Sequence, residues 1–295
     1  APSQAEIIVV NTCGFIEPAK QESIDTILEL AEYKKDGLCR GLIVAGCLGQ
    51  RYPEQLFSEL PEVDAIIGIA AAEELLAVIE RVLVGERIKV VKSPPLRVEK
   101  HRPRDIPTAA SAYLQIADGC DNSCAYCTIP LIRGRYRSRS LESLLKEAEF
   151  LVERGVKEIN LIAQDITQYG TDTAGLQMLD KLVNELYRLK DLKWIRLLYV
   201  QPQGFSNRLL SLLTENAKVC KYVDIPFQHA SNKLLRKMKR QGTQRDYSNL
   251  IRRLRKEIPE VVLRTSVIVG FPGETEADFQ ELVSFIKEVQ FDRLG

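Results

Sequence analysis

The sequence predicts an α/β protein made of two parallel-sheet units, a small one over residues 1–84 and a larger one over residues 111–295. Three observations predict this. Short apolar runs alternate with helix-length amphipathic stretches, the pattern of a parallel sheet covered by helices. At 295 residues the chain is long enough for two cores of ordinary size. Between the two repeats, residues 85–110 gather Pro94, Pro95, Pro103 and Pro107 among charged side chains with little periodicity, so this stretch reads as a partly extended linker.

In the first unit, Ile7–Val10 is a continuous apolar run, expected to be a strand buried on both faces. A helix is expected from about Pro18, a residue suited to a first turn. Its apolar face is Ile24, Ile27, Leu28 and Ala31, at i, i+3, i+4 and i+7. A second strand (Gly41–Ala45), a short helix (Pro53–Leu60), a third strand (Ala65–Gly68) and a helix over 71–83 complete a Rossmann-like repeat. The second unit repeats the alternation. Its candidate strands are Tyr113–Ala117, Glu158–Ile162, Trp194–Leu198, Tyr222–Ile225 and Val262–Val269, with a sixth from about Phe291. The helix over Leu141–Arg154 has Ser140 as N-cap and Gly155 as stop. Another begins at Thr275, whose spacing to Asp278 is that of a capping box. Six strand–helix units make a partial (β/α)6 barrel, and loops after the strands would form its active face.

Composition narrows the class. A net charge of +1 gives no global argument for nucleic acid. No apolar run approaches the ~18 residues a bilayer span needs. The start, Ala1-Pro2-Ser3-Gln4, is not a secretory signal. It reads as a chain that begins mid-protein, and the end at Gly295 reads as a cut inside the sixth strand. Seven cysteines in a chain of this size argue against disulfides and for a reducing cytoplasm with metal or cluster ligation.

Cys120, Cys124 and Cys127 stand in the order C-x-x-x-C-x-x-C, directly after the first barrel strand. Three thiolates on one loop hold three corners of an iron–sulfur cube and leave the fourth iron open. A structural zinc site would need four closed ligands, and no nearby His or fourth Cys completes that set. Cys13 and Cys47 each sit past the carboxyl end of a strand, the edge where open α/β sheets bind ligands. Two thiols do not hold a cluster in the usual way, so a third ligand is expected upstream of Ala1. Cys39 and Cys220 each precede a strand and read as structural and inert.

The cysteine loop, with the aromatic Tyr126 before its last Cys, resembles the signature of radical S-adenosylmethionine enzymes. The resemblance implies a 4Fe–4S cluster on Cys120, Cys124 and Cys127 that chelates S-adenosylmethionine and reductively cleaves it to a 5′-deoxyadenosyl radical. Tyr126 would lie near the adenine. Asn11-Thr12-Cys13-Gly14-Phe15-Ile16 and Gly46-Cys47-Leu48 are similar to the amino-terminal domain of the methylthiotransferases. That likeness implies a second 4Fe–4S cluster, with Cys13 and Cys47 as two of its three ligands. Ala163-Gln164-Asp165-Ile166-Thr167-Gln168-Tyr169-Gly170 and Tyr222-Val223-Asp224-Ile225-Pro226-Phe227-Gln228-His229 are more similar to the branch that acts on an aspartate of small-subunit ribosomal protein twelve. A sibling branch modifies tRNA adenosine, and a non-catalytic iron–sulfur protein that binds RNA is a third reading. Implied partners are the ribosomal protein, possible ribosomal RNA beside it, a low-potential electron donor and a sulfur donor. No membrane is implied, and a monomer is expected.

By resemblance, Gln164 and Asp165 occupy the place where this superfamily contacts the cofactor's amino group, although Gly-Gly-Glu is not present. Arg264 and the run from Ser266 to Glu274, with Gly270, resemble the fifth-strand cofactor motif; alternatively Arg264 pairs with a carboxylate. His229 follows the fourth strand and serves either chemistry or structure. Arg133, Arg135, Arg137 and Arg139 alternate, which would line them along one side to meet phosphates or the cofactor's carboxylate, or leave them in a solvated loop. Lys233 to Lys256 holds ten basic residues against Asp246 alone, a solvated face or one turned to ribosomal RNA. His101 in the linker reads as solvated.

Overall fold

A computed structural model describes residues 1–93 and 110–295. His101 and the linker prolines lie outside the described residues. The described chain divides into two compact units: the part before the undescribed stretch, joined by Cys127–Gly134, and the remainder.

The first unit runs β1 (Ile7–Thr12), α1 (Glu17–Ala31), α2 (Tyr33–Asp36), β2 (Gly41–Gly46), α3 (Cys47–Arg51), α4 (Pro53–Glu59), β3 (Ala65–Ile67), α5 (Leu75–Leu83) and β4 (Ile88–Val90). The strands are parallel in the order β1-β2-β3-β4. Successive strand residues face opposite sides. Thus Leu42 and Val44 join Ile8, Val10 and Ile27 in one apolar layer, while Ile43 joins Ile67, Val78 and Val82 in the other. Two expectations are corrected. Ile7–Val10 is not buried on both faces: β1 is an edge strand and Val9 is 40% exposed. β4 lies inside the stretch expected as linker, because a strand as short as Ile88-Lys89-Val90 is specified by pairing with β3 more than by its own pattern.

The remaining elements are β5 (Ser111–Gln115), β6 (Ala117–Asp118), α6 (Ile129–Arg133, grouped with the first unit), β7 (Arg137–Ser138), α7 (Leu141–Glu153), β8 (Glu158–Ile162), α8 (Thr171–Ala174), α9 (Leu179–Tyr187), β9 (Trp194–Leu197), α10 (Asn207–Glu215), β10 (Val219–Asp224), α11 (Asn232–Lys237), α12 (Gln244–Glu257), β11 (Val262–Thr265), α13 (Glu276–Val289) and β12 (Arg293–Leu294). Six parallel strands form one sheet in the order β12-β11-β10-β9-β8-β5, and its two edge strands do not pair. This is the expected partial barrel. Antiparallel β6 and β7 form a separate ribbon. Ser140 caps α7 by accepting from the Ser143 N–H, and Thr275 with Asp278 forms a complete capping box on α13. Each such cap contributes about 1 kcal/mol. Cys220 lies within β10, not before its strand, and burial pushes its thiol up, which keeps it protonated and inert. Among the described residues no helix is long and apolar enough to cross a membrane.

The barrel sheet has two unlike faces. Leu114, Ile159, Leu161, Ile195, Leu197, Val223 and Leu263 pack into the core. Each large apolar side chain buried in this way contributes roughly 1.5–3 kcal/mol. The alternate residues, among them Glu158, Asn160, Arg196, Tyr222, Asp224 and Arg264, put polar groups on the other face. The core therefore fixes where the polar groups stand.

Candidate functional site

The loop from Gly119 to Thr128 leaves the first barrel strand and carries the three cysteines, all with free thiols. Cys120 is buried, and Cys124 and Cys127 are half-buried. Three attachments hold the part of this loop that belongs to the second unit. Asp121 Oδ1 accepts from the Tyr136 N–H at 3.0 Å. Asn122 Nδ2 donates to Asp165 Oδ2 at 3.2 Å. The Ala125 N–H donates to the Met238 carbonyl at 3.0 Å. Beside it, buried Arg240 places Nη1 3.9 Å from Cys124 Sγ while Nη2 donates to the Pro226 carbonyl at 2.7 Å. The guanidinium brings a positive charge and a hydrogen-bond donor to that sulfur.

Asp165 is fully buried and both its oxygens are engaged. Oδ1 accepts from the Thr167 N–H and hydroxyl, and Oδ2 from Asn122. Its carbonyl accepts from the Tyr136 hydroxyl at 2.9 Å, a phenol that burial and then Asp165 push up, so it remains a donor. Asp165 therefore anchors the cysteine loop from beneath, a role that the expectation of direct cofactor contact did not include. Neighbouring Gln164 has a buried Oε1 without a hydrogen-bond partner, as does Gln201 after β9. Both follow the carboxyl ends of their strands, β8 and β9.

Arg264 Nη1 donates to Asp224 Oδ2 at 3.1 Å, so the carboxylate-pairing alternative is the observed one. Its side chain is still 39% exposed. Gly270 has φ of +74° and open space where a Cβ would stand, so conformation, not crowding, calls for glycine there. Tyr126 lies in a turn and is half-buried. His229 is fully buried with both ring nitrogens bound: Nδ1 accepts from the Ser231 N–H at 2.9 Å, and Nε2 lies 3.3 Å from Glu274 Oε1. An accepting Nδ1 places the proton on Nε2, which makes His229 a strut between loops.

The arginine row is split. Arg135 is exposed, whereas Arg137 and Arg139 are buried, so neither the solvated nor the phosphate-facing reading holds for these two. Arg139 donates to the Gln115 carbonyl and pairs with buried Glu147 at 2.7 Å, and Arg137 lies 3.4 Å from Asp118. Extended backbone aligns them, but local carboxylates take them inward. The polar barrel face supplies residues the motif reading missed: Arg196 lies 2.6 Å from Glu158 and stacks 5.0 Å from the Tyr222 ring centroid. The period-two alternation of polar residues in β8, β9 and β10 was their signal.

In the first unit, parallel pairing matches Thr12 with Gly46, so the next residues, Cys13 and Cys47, leave adjoining strand ends. Two glycines allow this approach. Gly46 has φ of +101°, and a Cβ on Gly14 would stand 2.9 Å from the Cys47 carbonyl carbon and oxygen. The Cys13 N–H donates to Ser23 Oγ at 3.1 Å, and Arg51 Nη1 donates to the Gly14 carbonyl at 2.8 Å. Cys13 is exposed and Cys47 half-buried. Buried Cys39, with Sγ 3.4 Å from the Gly41 carbonyl, is part of the core. Among the described residues no three His, Cys, Asp or Glu side chains converge on a single metal ion. A cube takes its thiolates at separate irons, a wider spacing than one ion requires.

Residues 114–286 match the model of the radical SAM superfamily, and residues 1–68 match the uncharacterized protein family UPF0004. The chain belongs to the radical SAM superfamily, whose members use a 4Fe–4S cluster and S-adenosylmethionine. It is 52% identical over 294 residues to a protein of Geotalea uraniireducens (strain Rf4) named ribosomal protein uS12 methylthiotransferase RimO, covering 99% of this chain and 66% of that protein. A protein of the same name from Clostridioides difficile (strain 630) is 47% identical over 293 residues, with the same coverage. The chain thus spans 66% of the length of these relatives. Among solved structures it is similar to the radical S-adenosylmethionine methyltransferase TsrM from Kitasatospora setae with cobalamin and a [4Fe-4S] cluster bound. That match has a TM-score of 0.69 at 17% identity, covers 99% of this chain and 63% of that one, and shows the fold alone.

Proposed function

We propose that the chain carries the radical and sulfur-insertion centres of a methylthiotransferase that modifies the β-carbon of an aspartate in ribosomal protein uS12. The observation that carries this reading is the pair of thiol sites in one chain: the three-cysteine loop after β5, and Cys13 with Cys47 at the carboxyl edge of a separate sheet. The names of relatives about half identical over nearly the whole chain support the substrate.

In this reading Cys120, Cys124 and Cys127 hold one 4Fe–4S cluster, and Cys13 and Cys47 give two ligands of a second. The donor set fits: free thiols on a tethered loop, with a guanidinium 3.9 Å from one sulfur, suit an anionic cluster. When bound, the first cluster supplies the low-potential electron that opens S-adenosylmethionine, and the second presents the sulfur. The chain's own residues set the geometry. Asp165, Asn122 and Tyr136 fix the loop, while Gln164, Gln201, Arg264 and Tyr126 stand as candidates to orient the cofactor. A low-potential donor and a sulfur source complete the cycle.

Anaerobic reconstitution tests the assignment. Cys124→Ala should lose the S-adenosylmethionine-cleaving activity together with the iron of the three-cysteine loop, whereas Cys13→Ala should retain cleavage. Mass spectrometry of uS12 and of tRNA from a deletion strain checks the substrate; loss of the tRNA mark alone would sink the uS12 reading.

A further inference from the structure

The surface built by α11 and α12 does not take part in the site above, and its charge is unlike the rest of the molecule. Several exposed cations elsewhere sit beside carboxylates, as in Lys35–Glu32, Lys146–Glu142 and Arg188–Glu185. Of the ten Lys and Arg residues between Lys233 and Lys256, only Arg240 is buried. Among the described residues only Lys233 of this group is ion-paired, with Asp278. Asp246, the acid within the run, is turned to Thr243 in the capping box of α12.

Helical geometry arranges these charges. Tyr247, Ile251 and Leu254 face the core, so the opposite side of α12 presents Arg245, Asn249, Arg252 and Lys256 at i, i+4, i+7 and i+11. At 1.5 Å per residue this row is about 16 Å long. Arg252 donates to Asn249 Oδ1 and Arg253 to Asn207 Oδ1, neutral acceptors that leave the positive charge uncancelled. The short connection from Glu257 to β11 places the far end of α12 at the amino edge of the sheet. Its first turn, with Arg245, is therefore on the edge that carries the cysteine loop.

We propose that this face of α12 docks the phosphate backbone of RNA. No apolar side chain interrupts the outward row, which removes the buried anchor of a protein–protein hot spot and the apolar face of a bilayer-lying helix. Cations along one helix face, guanidinium forks among them, match a polymer of repeated phosphates. The commitment to RNA over other polyanions rests on the uS12 reading, because that substrate belongs to a ribonucleoprotein; the cationic row itself does not depend on it.

Fluorescence anisotropy of the 295-residue chain with a labelled fragment of small-subunit ribosomal RNA tests this without any catalytic readout. The affinity should fall linearly on a log–log plot against salt. The triple variant Arg245→Gln, Arg252→Gln, Lys256→Gln should bind at least about tenfold more weakly near 100 mM salt, with a slope smaller by about 2. A control triple of equal charge change, Lys35→Gln, Lys146→Gln, Arg188→Gln, should bind like the parent, and melting curves verify that both triples fold. Equal weakening by the two triples overturns the proposal, as does tighter binding of poly-glutamate or duplex DNA than of RNA. Failure here leaves the uS12 mass-spectrometry result untouched, and a negative uS12 result leaves the phosphate-binding measurement standing.

Discussion

Asp165 is a carboxylate in the core that meets hydroxyl, backbone and carboxamide donors and, among the described residues, forms no ion pair. Burial raises its pKa, and the hydrogen bonds from Thr167 and Asn122 oppose that rise without cancelling it. The sign follows from linkage. Above the ordinary value of 3.8 the folded protein holds a proton that the unfolded chain has released, so this residue's stabilising contribution is lost as pH rises through its folded pKa. Asp165→Asn has no such proton to hold, and its amide nitrogen must face one of the donors. The variant should be destabilised by about 1–3 kcal/mol at low pH, with the gap to the parent narrowing as pH rises. Urea midpoints measured across pH 4 to 8 check this; a gap that widens with pH would contradict the assignment. No local pattern announced this role, because the partners are 43 residues apart.

At the scale of elements, α13 shows how far a local signal reaches. Thr275 and Asp278 are a capping box in the sequence and in the fold. What the spacing did not show is that Asp278 also accepts from Ser231 Oγ and Lys233 Nζ, each at 2.7 Å, and so ties α13 to the start of α11. The bond from Lys233, then those from Thr275 and Ser231, hold the carboxylate well below its ordinary range. Here the linkage has the opposite sign: the contribution is present above the unfolded value of 3.8 and is lost as pH falls below it toward the folded value. Asp278→Asn should lower the melting temperature at pH 7 and flatten the acid limb of the unfolding profile. Circular dichroism melts between pH 3 and 7 measure both effects; an unaltered acid limb would show that other carboxylates govern it. Helix boundaries were legible because caps are local chemistry. The burial of Arg137 and Arg139 was not, because charged residues read as exposed until their partners Asp118 and Glu147 are found by folding.

At the scale of the whole molecule, the strand–helix alternation gave both sheets their parallel class. The grouping of Cys127–Gly134 with the first unit was not legible, because nothing in that stretch differs in pattern from its surroundings. This leaves a specific expectation about cooperativity. The apolar layers of the first sheet and the barrel core share no residue: Leu42 belongs to the former and Leu161 to the latter, and both are fully buried. Two cores built from separate residues can lose their packing at different temperatures, so unfolding need not be two-state. Replacing either leucine by alanine should cost about 2–5 kcal/mol within its own core. Calorimetry should then resolve two transitions, with Leu42→Ala lowering one midpoint and Leu161→Ala the other. A single transition moved equally by both variants would show instead that the two cores unfold as one cooperative unit.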